Sequence, residues 1–196
     1  NLTCKLRRKK YHSYRGEVGK VAHNLLNRDF RALRPNTKWA TDITEFKLSG
    51  QKLYLSPILD LFNGEIISYT LSKSPGFHQV TRMLQSAFLK IPDQTHLILH
   101  SDQGWQYQMR TYQKMLNDKG IRQSMSRKGN CYDNSVMENF FGILKSEFFH
   151  NQKFSSIEHF TKELSEYIDY YNNRRIKVKL KGLSPVQFRT QSFIST

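Results

Sequence analysis

Hydrophobic positions are scattered over the first 37 residues of the chain and ordered after them. The opening stretch holds LRRKK, dispersed Tyr and His, and NLLNRDFRALRPN; it reads as a basic arm or linker with one short helix around Ala22–Phe30, closed by the turn signal Arg34-Pro35-Asn36. From Trp39 the pattern changes. WATDITEFKL (39–48), LYLSPILDLF (53–62) and EIISYTLS (65–72) are short runs rich in β-formers, separated by Gly50 and by Asn63-Gly64, a strong hairpin signal. They predict an antiparallel meander, with Pro57 marking a bulge or an edge. Val80, Met83, Leu84, Ala87 and Phe88 recur at helical spacing and predict a helix over about 78–90, stopped by Pro92. HLILHSD (96–102) is a strand buried on both faces, Gln106–Lys119 a helix ending at Gly120, and IRQSMS (121–126) a fifth strand. Ile157, Phe160, Leu164, Tyr167, Ile168 and Tyr171 make an amphipathic helix, and Ser184-Pro185 starts a last short one.

Between the fifth strand and the 157–171 helix lies SRKGNCYDNSVMENFFGILKSEFF (126–149), a basic glycine-containing loop feeding a helix. Met137, Phe140, Phe141, Leu144 and Phe148 form one apolar stripe, and Glu138 and Lys145 sit on its edge. Asp133 and Asn134 are expected to cap this helix; orienting a site is the alternative role for Asn134. Three antiparallel strands followed by helix, strand, helix, strand and helix predict an α/β fold. Its mixed five-stranded sheet has the last two strands parallel and is flanked by helices.

Composition narrows the class. The 196 residues are 38% hydrophobic with 13 Phe and 10 Tyr, enough for a globular core. No apolar run approaches the length of a membrane span, and no secretory signal opens the chain. The chain starts on Asn rather than Met, so a preceding segment is expected. Two cysteines 127 residues apart suggest a reducing cytosol, and Cys4, His12 and His23 lack the spacing of a zinc site. The net charge of +15 is uneven: residues 1–38 hold 11 Lys/Arg against 2 Asp/Glu, 171–196 hold 6 against none, and 39–170 hold 14 of each. A neutral core between basic ends fits a polyanion partner, and nucleic acid before a merely basic surface. The expected division is a basic arm over 1–37, a core over 38–173 and a basic extension over 174–196.

Three acids stand out. Asp42 lies inside the first predicted strand, where Asp is depleted and costly to bury unpaired. Asp102 closes the fourth strand, at the end where open sheets bind ligands. If these strands are neighbours, both carboxylates share a site, and the rim of the packed helix brings Glu138 to it. Taken alone, Glu138 reads first as a solvated helix residue, and the two aspartates reverse that reading. Carboxylates forced together repel unless cations sit among them, and Mg²⁺ suits an oxygen-only set. Two such ions would serve an in-line phosphoryl displacement.

Asp42, Asp102 and Glu138, with 35 residues between the last two, resemble the DD(35)E pattern of retroviral integrases and bacterial transposases. WATDITEF, LHSDQGWQYQ, SRKGNCYDNSVMENFFGILKSE and YNNRRIKVKLKGLSP resemble the integrase core of OrfB-type transposases of the insertion-sequence-three family, over roughly residues 36–190. The resemblance implies a ribonuclease-H-like fold, two Mg²⁺ ions (Mn²⁺ substituting) held by Asp42, Asp102 and Glu138, cleavage of a DNA phosphodiester, and strand transfer by the freed 3′-hydroxyl. It also implies transposon ends and target DNA as partners, a homo-oligomer assembled on DNA, and a bacterial cytoplasmic setting. Family members carry a helix-turn-helix at the front, and none is read here. A nuclease of the same fold without joining activity, or a non-catalytic DNA-binding module, are the rival readings.

Lys145 resembles the family lysine that follows the glutamate and is expected on DNA phosphate. Arg127 and Lys128 read either as a DNA clamp or as a solvated turn. Arg174, Arg175, Lys177, Lys179 and Lys181 are expected to track phosphates. His100 is expected to be structural, Gly104 to let the chain turn clear of the site, and Trp105 and Tyr107 either to stack on a base or to pack in the core.

Overall fold

A computed structural model describes residues 19–48 and 50–194, apart from the side chains of Cys131, Phe193 and Ile194. The basic stretch before residue 19, with Cys4 and His12, lies outside them. The strands are β1 (Lys38–Thr41), β2 (Thr44–Leu48), β3 (Gln51–Asp60), β4 (Ile66–Ser72), β5 (Ile98–Ser101) and β6 (Arg122–Met125). The helices are α1 (Phe77–Phe88), α2 (Trp105–Gln108), α3 (Arg110–Asp118), α4 (Ser135–Leu144), α5 (Ile157–Asn173) and α6 (Pro185–Ile194). A short 3-10 turn at Cys131–Asn134 leads into α4, and a π turn at Lys145–Phe149 leaves it.

The sheet has six strands where five were expected, because the first predicted strand is broken. β1 and β2 both pair antiparallel with β3 in one continuous register, Thr41 opposite Ile58 and Thr44 opposite Leu55. β4 takes the other edge of β3, so β1 and β2 are two halves of one row. Carried through the gap, the register sets Pro57 opposite Asp42, and proline has no N–H to give the ladder. The Asp42 carboxylate completes the break by accepting the Ile43 N–H at 2.7 Å. Pro57 is thus on an inner strand, with a bulge beside it at Ile58/Leu59. The β3–β4 connection is longer than a two-residue hairpin: Gly64 alone of the Asn63-Gly64 pair takes positive φ, and its N–H donates to the Asp60 carbonyl at 2.7 Å. β1, β5 and β6 run parallel, as expected.

Alternation along the strands feeds two cores. Ala40, Leu53, Leu55 and Leu59 pack with Met137, Phe140, Phe141, Leu144 and Phe148 of the predicted stripe and with Phe160, Leu164 and Ile168 of α5. Trp39, Ile58 and Leu99 face the opposite way, against Val80, Met83 and Leu84 of α1 and Tyr112 and Leu116 of α3. The helix predicted over 106–119 is divided, because Met109 is extended at ψ 135° between α2 and α3.

The helix expected around Ala22–Phe30 does not form; Asn27 and Arg28 take positive φ in a turn. The segment instead straps β6. The Met125 N–H donates to the His23 carbonyl at 3.4 Å, and the Leu25 N–H to Ser124 Oγ at 2.9 Å. At the other end, Ser184 caps α6: its Oγ accepts the Gln187 N–H at 3.3 Å while Gln187 Oε1 accepts the Ser184 N–H at 2.9 Å. Arg189 then reaches back 2.7 Å to the fully buried Asp60, whose carboxylate also takes the N–H groups of Asn36 and Phe62. Arg189→Met should therefore leave a buried charge without its cation and lower stability by on the order of 3 kcal/mol, measured by urea denaturation.

Candidate active site

Ala40 of β1 lies beside His100 of β5 in the parallel pair. Two residues later both strands have ended, and Asp42 and Asp102 leave the sheet together at its carboxyl end. Each carboxylate is held by a local amide. Asp42 Oδ1 takes the Ile43 N–H, and Asp102 Oδ1 takes the Gly104 N–H at 2.9 Å. A Cβ at residue 104 would stand 3.0 Å from Asp102 Oδ1 and 3.1 Å from Gln106 Oε1, so glycine keeps that carboxylate clear, as expected.

Glu138 is exposed in the first turn of α4, next to the buried Met137. Its charge is felt at Asp42. Burial pushes Asp42 up to about 7, the Asp102 charge adds to this, and Glu138 adds less; the Ile43 amide and Asn134 act in the opposite direction. Burial also raises Asp102, against the Gly104 N–H. Two partly buried carboxylates with a third nearby, and no cation among the main influences on Asp42, are a donor set that suits a hard divalent ion. Among the described residues no three His, Cys, Asp or Glu side chains already stand as a closed metal cage. Asp42 feels the charge of both other acids, that of Asp102 more than that of Glu138.

Asn134 does not cap α4, nor does Asp133 cap the turn before it. The Asn134 amide instead donates from Nδ2 to Asp42 Oδ2 at 2.8 Å. Asp133 is buried and gathers the Arg127 Nε at 2.8 Å, the Arg28 Nε at 2.9 Å and the Asn24 Nδ2 at 3.0 Å; Arg127, and Arg28 after it, hold its carboxyl well below the usual carboxylate range. His100 is structural, as expected: Nδ1 lies 2.8 Å from Ser124 Oγ and Nε2 2.9 Å from the Asp133 carbonyl, and burial lowers its pKa. Nothing local in the sequence links Arg28 or Asn24 to Asp133, more than 100 residues away.

Tyr107 is buried with its ring edge-on to Tyr112 at 5.5 Å, so it packs in the core rather than presenting a stacking face; Trp105 is half-buried. Lys145 is half-buried with Nζ 5.7 Å from the Phe46 ring centre. Arg127 is engaged with Asp133, while Lys128 is exposed. Arg174 lies 3.6 Å from Asp169, and Arg175 is paired with Glu147. Lys177 turns inward: its amine donates to the Tyr171 hydroxyl at 2.8 Å and sits 4.2 Å from that ring's centre, and burial pushes it down to about 8. Lys179 and Lys181 are exposed.

Residues 32–131 match one integrase core domain model and residues 138–193 a second. The chain is 56% identical over 194 residues to the putative transposase InsK for insertion sequence element IS150 of Escherichia coli K12, covering 99% of this chain and 69% of that relative. It is 59% identical over 191 residues to an uncharacterized transposase-like protein of Haemophilus influenzae, covering 97% and 88%. A chain of the simian T-cell lymphotropic virus intasome in complex with the PP2A regulatory subunit B56 gamma superposes with a TM-score of 0.69 at 21% identity, over 91% of this chain and 63% of that one. The HTLV-2 integrase catalytic core in complex with magnesium (trimeric form) gives 0.63 at 17% identity, over 81% and 99%. These likenesses bear out the ribonuclease-H-like α/β fold read from the sequence.

The electrostatics of the pair make a pH prediction. The folded protein holds the Asp42 proton up to about pH 7, whereas an unfolded chain releases it near pH 4. Folding therefore becomes less favourable as pH rises through that window. In chelator at pH 8, Asp42→Asn should melt on the order of 3 °C above the parent, and the advantage should shrink as pH falls from about 7 and vanish by about pH 3 in a thermal unfolding series.

Proposed function

We propose, proceeding from the fact that this chain belongs to the integrase core family, that it is the catalytic region of a DNA transposase. It cleaves a DNA phosphodiester and joins the freed 3′-hydroxyl to target DNA. The observation that carries this reading is the parallel pairing of β1 with β5, which delivers Asp42 and Asp102 together at one end of the sheet. Asp42, Asp102 and Glu138 would hold two Mg²⁺ ions, or Mn²⁺ in their place. Such ions, when bound, activate the attacking oxygen and stabilise the leaving one.

The protein's own part is geometric. The ended strands fix two carboxylates against their repulsion, and α4, docked by its apolar stripe, carries the third. Exposed Lys128, Lys179 and Lys181, and the cations at Arg127, Lys145, Arg174, Arg175 and Lys177, supply positive charge for DNA phosphates. Because Arg175 and Lys177 are engaged within the fold, the exposed lysines are the stronger candidates. The core over 38–173 is then the catalytic unit and the basic ends are its DNA-facing flanks. It works as a homo-oligomer on transposon ends and target DNA in the bacterial cytoplasm. No helix among the described residues is long and apolar enough to cross a membrane.

The test is incubation of labelled transposon-end DNA with a target plasmid and Mg²⁺. Joined product is expected from the parent and none from Asp102→Asn or Glu138→Gln, with both variants folded by circular dichroism. Full joining by Asp102→Asn would refute the site. Cleavage without joining by the parent would favour the nuclease reading, and no divalent-dependent cleavage at all the binding module.

A further inference from the structure

The hydrogen bonds around the carboxylate pair single out a residue outside the acidic set. We infer that Asn134 is a positioning residue for the reaction: its carboxamide sets the direction of the Asp42 carboxylate, and Asp133 fixes Asn134 in turn. This rests on the proposed role of Asp42 as a metal ligand.

Asn134 is buried, and its amide spans 92 residues of sequence to reach Asp42 Oδ2 at 2.8 Å. The other oxygen, Oδ1, takes the Ile43 N–H at 2.7 Å. Each oxygen is thus held by a different donor, which fixes the plane of the carboxylate. Each oxygen has a second lone pair left for a cation. An Asn in the residue before a helix normally turns its side chain back onto the helix's own N–H groups. Here that cap is forgone, and the amide is turned to the carboxylate instead.

The residue before it is gripped at both its side chain and its backbone. The Asp133 carboxylate holds Arg28, Arg127 and Asn24. The Asp133 carbonyl accepts from His100 Nε2 at 2.9 Å, which assigns the neutral ring its proton there and leaves Nδ1 to accept from Ser124 Oγ at 2.8 Å. Ser124 Oγ in turn accepts the Leu25 N–H at 2.9 Å. A run of hydrogen bonds thus passes from the strap over β6, through Ser124 and His100, to the residue that places Asn134. Removing partners that orient a metal ligand typically costs 10–100-fold in metal affinity or activity.

The experiment measures Mn²⁺ affinity of the purified chain by loss of the free-ion electron paramagnetic resonance signal, and single-turnover joining with the same preparations. Asn134→Ala should weaken Mn²⁺ binding about 10–100-fold and slow joining, with the half-saturating DNA concentration unchanged. Asn134→Leu, which keeps the volume without the donor, should do the same, and it stands in if the alanine protein does not fold. In the Asp42→Asn background, Asn134→Ala should weaken Mn²⁺ binding no further, because the two act as one unit. Parental Mn²⁺ affinity in a folded Asn134 variant overturns the inference, as does a slower rate that traces only to weaker DNA binding. If Asp42→Asn binds Mn²⁺ like the parent, the ligand assignment itself is wrong, a result distinct from a silent Asn134 variant.

Discussion

The arrangement depends on a few backbone hydrogen bonds between β1 and β5. Two carboxylates in a partly buried site repel each other, and an isolated pair would swing apart or stay protonated. Parallel pairing removes the first option, because Ala40 is locked beside His100 and both chains must leave the sheet at the same level. What remains is the second: burial first, and the Asp102 charge after it, raise the proton affinity of Asp42, while burial raises that of Asp102. The energy that holds this unfavourable pair comes from elsewhere: the two apolar layers, one against each face, that make the sheet stable.

Much of this was legible because it is local or periodic. The strand runs, the apolar stripe of α4 and the Ser184 cap are patterns within a few residues of themselves. The acids at Asp42 and Asp102 stood out because of their strand contexts. What could not be read depends on distant partners. The gap in the first strand is set by Pro57 opposite it, a proline that by itself signalled only a bulge or an edge. Asn134 has the local credentials of a cap, with orienting a site as the second reading, and only a carboxylate 92 residues away decides between them. Residues 22–30 carry helical hydrophobics that a neighbouring strand recruits instead.

Charge counting was informative about the whole and less so about single residues. Of the six Lys/Arg after residue 170, all but Arg189 were read as one phosphate-tracking set. The fold divides them. Arg189 neutralises the buried Asp60, Arg175 pairs with Glu147, and Lys177 lies over Tyr171, so part of the basic extension fastens that extension to the core. Arg28 and Arg127 are likewise drawn onto Asp133. A cationic run can serve packing and polyanion binding at once, and only the inward-facing members are identified by their partners.

The strap over β6 moves a boundary. Among the described residues β6 has a strand neighbour on one side only, and residues 22–25 meet the other. Cut at residue 38, where the strand pattern begins, the chain would keep its carboxylates and uncover the margin of β6 that the strap meets at Ser124 and Met125. Such a bare margin recruits strands from other molecules. The stretch that looked like a mere linker therefore covers an edge of the sheet, and a piece begun at residue 38 would lack that cover.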